Sequence, residues 1–74
     1  MIGYTLAIVL KNKQADGKMV GVKIGRICIK KNISIKEIAE VAGVSNVNVY
    51  AWFAGEYSPQ PNTAKKIFAY LARQ

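Results

Sequence analysis

The chain has no histidine, one cysteine and only four acidic residues among its 74 positions. Each shortage removes a class of chemistry. Without imidazole there is no histidine base to activate a serine or cysteine, and most acid–base mechanisms lack their parts. Cys28 has no second cysteine to join in a disulfide or a thiolate metal site, and a lone thiol suits a reducing compartment. Long apolar runs are missing too. The longest, Leu6 to Leu10 with Ile2 and Tyr4 before it, stops at Lys11, far below the ~20 residues of a membrane-crossing helix. A secretory signal carries its basic residues ahead of such a run, whereas Lys11 and Lys13 follow it. The expectation is a cytoplasmic binding module. No enzymatic activity, cofactor, metal, membrane or small-molecule ligand is expected.

What is present points the same way. Apolar residues make up 51% of the chain and mean hydropathy is +0.11, too apolar for a disordered tail. Eleven Lys and Arg against four Asp and Glu leave a formal charge of +7, the balance of a protein that meets a polyanion. At this length the chain is one domain at most, near the lower limit for an unassisted core.

Punctuation at Asp16-Gly17, Asn32, Gly43, Gly55 and Ser58-Pro59-Gln60-Pro61 cuts the chain into helix-sized pieces. Tyr4–Ala15 reads two ways. Tyr4, Leu6, Ile8 and Leu10 alternate as in a strand, with Asp16-Gly17 as its turn, or Thr5 caps a helix running to Gly17. The helix is preferred, although so short a run does not settle its own period. From Met19 to Lys31, Val20, Ile24, Ile27 and Cys28 recur at helical spacing, while Lys23, Arg26 and Lys30 share another face. Gly21 and Gly25 each cost that helix about 1 kcal/mol against Ala. Ser34 and Glu37 have the spacing of a capping box, and Lys36 with Glu40 forms an outward pair of opposite charge. Gly43 ends that helix. Ser45 caps the next, with Val49, Trp52 and Phe53 inward, and Gly55 closes it. Asn62 is expected to cap a last helix whose stripe is Ala64, Ile67, Phe68 and Leu71.

Two short helices joined by Gly43-Val44-Ser45 form the informative constellation. Close approach of the first helix to the second wants a small residue midway, and Ala39 sits there. The turn wants a residue that tolerates positive φ, supplied by Gly43. Ile38, Val44, Val49 and Trp52 give the pair its apolar core. On these residues, Ser34 to Gly55 (SIKEIAEVAGVSNVNVYAWFAG) resembles the helix-turn-helix of lambda-repressor and Cro-type DNA-binding proteins. Gly55 and Pro59 resemble the loop that follows the reading helix in that family. The likeness extends from Val22 to Leu71 and leaves Met1–Lys18 outside.

The resemblance implies an all-α, lambda-repressor-like domain of four to five helices over residues 19–74. Residues 1–18 are then an extension, helix or strand, serving the core or a subunit interface. It further implies that helix 46–54 enters the major groove of double-stranded DNA, with Asn46, Val47, Tyr50 and Ala51 as base readers and Asn48 beside them. The chain departs from the family in three places. No Lys or Arg lies between Glu37 and Asn62, Ile35 replaces a frequent Gln, and Ala54 replaces a frequent polar residue. Phosphate contacts therefore fall to Lys36, Ser45, the Lys23/Arg26/Lys30 stripe, helix-terminal N–H groups and Lys65 with Lys66. The function expected is sequence-specific DNA binding by a small, phage-type transcriptional regulator or repressor acting as a homodimer, nucleoid-associated if its source is bacterial or phage. The alternative is a protein-interaction module that reuses the fold as an inhibitor or adaptor, favoured by the uncharged reading helix.

Overall fold

Thr5 settles the ambiguous first segment. In the computed structural model, which describes residues 4–74, its hydroxyl accepts from the Ile8 N–H at 3.5 Å, and helix α1 runs over Leu6–Gln14. Ile2, named with the apolar run, lies outside the described residues. The helix stops before Gly17, at an extended Ala15. Its terminal carbonyls are met by another helix instead: Arg26 Nη2 donates to the carbonyls of Asn12, Lys13 and Ala15 at 3.2–3.4 Å.

Helix α2 (Val20–Lys31) ends where Asn32 turns left-handed at φ 59°, a conformation that Asn tolerates better than most residues. Helix α3 (Ile35–Ala42) starts on Ser34, whose hydroxyl accepts from the Glu37 N–H at 3.1 Å. Only this half of the expected capping box is made. The Glu37 carboxylate accepts from the Tyr70 hydroxyl instead. Helix α4 (Asn46–Ala54) starts on Ser45 and ends at Gly55, φ 83°. Helix α5 (Pro61–Leu71) begins two residues earlier than expected, with Gln60 rather than Asn62 as its cap. Pro61 occupies the first helical position, where its fixed φ suits the helix and its missing N–H costs nothing.

The buried side chains converge on α4, which packs against α1, α2 and α3. Val49, Trp52 and Phe53 meet Ile8, Ile24, Cys28, Ile38, Ile67 and Leu71 in a single core. Ala64, Ile67 and Leu71 of the α5 stripe are buried, but Phe68 is 38% exposed. It lies a hundred degrees round from Ile67, past the edge of the face that α2 and α3 cover. Cys28 is fully buried, and burial, helped by the charge of Glu37, pushes its thiol up to about 12, so it stays a neutral apolar group.

Two features join α1 to that core. Ile8 is 2% exposed, and the buried Asn12 amide donates to the Val22 carbonyl at 3.2 Å and the Phe53 carbonyl at 2.8 Å. Tyr4, just ahead of α1, donates to the Ile33 carbonyl and lies with its ring centroid 6.3 Å from that of Phe53. Helix α1, ahead of the family resemblance, thus shares the core of the other helices.

Gly43 closes α3 at φ 72° with open space where a Cβ would stand. A side chain there is strained by the backbone alone. Gly43→Val is expected to cost about 1–3 kcal/mol through positive φ at a β-branched residue. A thermal melt reads this directly, and an unchanged midpoint would show that the turn carries no such strain.

Candidate nucleic-acid interface

The turn between α3 and α4 is held from both sides. The Gly43 and Val44 N–H groups both return to the Ala39 carbonyl, at 2.8 and 3.0 Å, and Ser45 Oγ accepts from the Asn48 N–H at 3.4 Å. Ile38, Ala39, Val49 and Trp52 are buried beneath it, with Val44 half-buried and packed against them. These contacts fix the first turn of α4, which projects its remaining side chains outward.

Asn46 and Val47 are exposed there, Val47 by 76%. With Ile35 at the start of α3 and half-buried Tyr50, they line a shallow depression of about 400 Å³. Lys36 and Ser45 are exposed at the first turns of α3 and α4. The structure therefore brings together Asn46, Val47 and Tyr50 with Ile35, and sets Lys36 and Ser45 on the same helix ends. Asn48 is half-buried and its side-chain oxygen accepts from the Tyr57 hydroxyl at 2.8 Å, which turns it toward the following loop.

Two of the expected contacts are placed otherwise. Ala51 is only 7% exposed, so its methyl is part of the packed surface and offers little to a base. The Lys23/Arg26/Lys30 stripe does not join the α4 surface. Gly21 and Gly25 press the opposite side of α2 onto Trp52 and Phe53, and a helix cannot turn both sides to one neighbour. Arg26 and Lys30 line a groove between α1 and α2, and the Arg26 guanidinium is committed to carbonyls at the end of α1. Phosphate contact from Arg26 or Lys30 would therefore come from the α1–α2 side and not from the α4 surface.

One contact was missed from the sequence. Lys11 of α1 lies with its Nζ 5.7 Å from the centroid of the Tyr50 ring, an attractive position for a cation over an aromatic face. Spacing within α1 carries no sign of a neighbour 39 positions further on.

Residues 23–73 match the family model described as a helix-turn-helix. That span covers more than half of the chain, and the chain belongs to the lambda-repressor/Cro-type helix-turn-helix family of DNA-binding regulators. No curated protein and no solved structure gives a significant match to it. Among the described residues no helix is long and apolar enough to cross a membrane.

Proposed function

We propose that the protein is a small transcriptional regulator of phage type that binds a specific double-stranded site as a homodimer and acts as a repressor, in the cytoplasm and on the nucleoid. The observation that carries this reading is the first turn of α4. Asn46 and Val47 stand exposed beside an apolar-walled depression, held by the capped turn and the core beneath it.

The chemistry of that turn selects a kind of base pair. An Asn amide bonds bidentately to adenine N6 and N7, and an aliphatic wall receives the thymine methyl. Val47, Ile35 and Tyr50 supply such a wall. With no Lys or Arg on α4, the usual bidentate guanine contact has no donor there. The half-site is therefore A·T-containing opposite Asn46 and Val47, and a dimer would read two copies about 34 Å apart on one face of the duplex. A bound dimer represses by occupying the site that polymerase needs.

Selection of bound sequences from random duplexes, followed by titration of the selected site, tests the reading. Asn46→Ala is expected to cost about 1–3 kcal/mol on the selected site and almost nothing on random DNA. If the variant selects the same sequence at every position, Asn46 reads no base. If the unaltered chain binds no duplex even at low salt, the uncharged α4 surface is left to a protein partner, and the adaptor reading takes its place.

A further inference from the structure

A reading helix without a single cation must borrow its electrostatic anchor, and the cationic stripe of α2 faces elsewhere. One cation from outside the family match does lie against a residue of α4. Lys11 is exposed on α1, and its ammonium lies over the ring of Tyr50, a wall residue of the same depression as Asn46 and Val47. The helix that carries it is not free to drift, since Ile8 is buried and the Asn12 amide binds both α2 and α4.

Resting on the DNA-binding reading, we propose that Lys11 is a phosphate anchor of this interface, contributed by a helix added to the family fold. Tyr50 positions the ammonium beside the edge of α4, where a backbone strand flanking the major groove would pass. A lysine suits that role: its ammonium is a compact charge with three rotatable donors, matched to a phosphate rather than to a base edge. The contact is blind to sequence and adds affinity and salt dependence. Lys13, two residues on, supplies the internal control. It lines the groove between α1 and α2, on the other flank of the same helix.

The experiment compares the full chain with Lys11→Gln, Lys13→Gln and Lys11→Arg on random-sequence duplex and on the selected site, between 50 and 200 mM salt. Both Gln variants remove one positive charge, so a loss due to total charge would be equal in the two. Lys11→Gln is expected to weaken binding several-fold on both DNAs and to flatten the log–log salt slope by about 0.9, one phosphate's worth. Lys13→Gln should keep the parental slope, Lys11→Arg should restore it, and all four proteins should melt cooperatively, Lys11→Gln losing at most the few degrees that one exposed cation–π contact is worth. Equal slopes for Lys11→Gln and Lys13→Gln would overturn the assignment while leaving DNA binding intact. A changed selected sequence in Lys11→Gln would overturn it too, making Lys11 a base reader. Failure of the unaltered chain to bind duplex removes the DNA-binding reading, and this contact with it.

Discussion

Gly21→Ala is expected to lower the melting temperature of this protein, although the same change in an isolated helix would raise helix stability by about 1 kcal/mol. The reason lies in α4. A Cβ at position 21 would stand 2.8 Å from both Trp52 Cβ and the Trp52 carbonyl oxygen, and 3.1 Å from the carbonyl carbon. These are backbone and near-backbone atoms of a buried helix and cannot step aside as a side-chain tip could. Overpacking of this kind costs about 1–3 kcal/mol, enough to reverse the propensity gain. For a domain of this size each kcal/mol moves the midpoint by roughly 4–8 °C. Gly25→Ala should be similar, because its Cβ would meet Asn12 Nδ2 at 2.6 Å and Phe53 Cγ at 2.8 Å. Circular-dichroism melts decide the matter, and a higher midpoint for Gly21→Ala would mean that α2 and α4 are not so closely pressed.

Asn12→Leu is expected to have the larger effect. Leucine keeps the branched outline of asparagine, though it is bulkier, and the new side chain is apolar, so burial alone would favour it. Its amide, however, is the donor that meets the Val22 and Phe53 carbonyls. Phe53 lies in the last turn of α4, where carbonyls have no intrahelical partner. Leucine leaves the buried Phe53 oxygen without a donor at about 1–3 kcal/mol, while the Val22 oxygen keeps its helical partner within α2. Against the roughly 4–11 kcal/mol that holds a chain of this length together, such a loss is severe. Asn12→Asp makes a second check with a sign of its own. A buried carboxylate facing two carbonyls has its pKa raised on folding, so the folded state favours the protonated form. Stability is then retained at low pH and falls as pH rises above about 4, the unfolded value. Urea unfolding from pH 3 to pH 7 reads that slope. A flat profile would show that the site admits water.

The helix-turn-helix was legible because its rules are local. Gly43 needs positive φ, Ser45 needs the Asn48 N–H, and Val49 with Trp52 follow from helical spacing over a few residues. What escaped was long-range. Gly21 and Gly25 read as defects in a helix until Trp52 and Phe53 lie against them. Asn12 shows nothing in its neighbours to mark it as a bridge, because its partners are 10 and 41 positions away. Phe68 and Glu37 were misplaced for a related reason. A stripe and a capping pair each describe one helix, and α5 decides both by where its covered face ends and by sending Tyr70 to Glu37. In the interface, Asn46 and Val47 were legible as the first turn of α4. The orientation of the α2 cations and the approach of Lys11 were not, since both depend on how helices dock.

The amide bridge from α1 also dictates an order of events during synthesis. Asn12 leaves the ribosome 41 residues ahead of the Phe53 carbonyl it binds, a wait of roughly 2–8 s at the usual 5–20 residues per second. Through that interval α1 has only nine residues, fewer than the ~12–15 an isolated helix needs to hold its shape in water. Thr5 can start the helix and nothing yet keeps it. An ordered α1 is therefore the signature of a finished chain: amide protons of Ile8 to Asn12 should gain protection from exchange only once α4 has been made and seated.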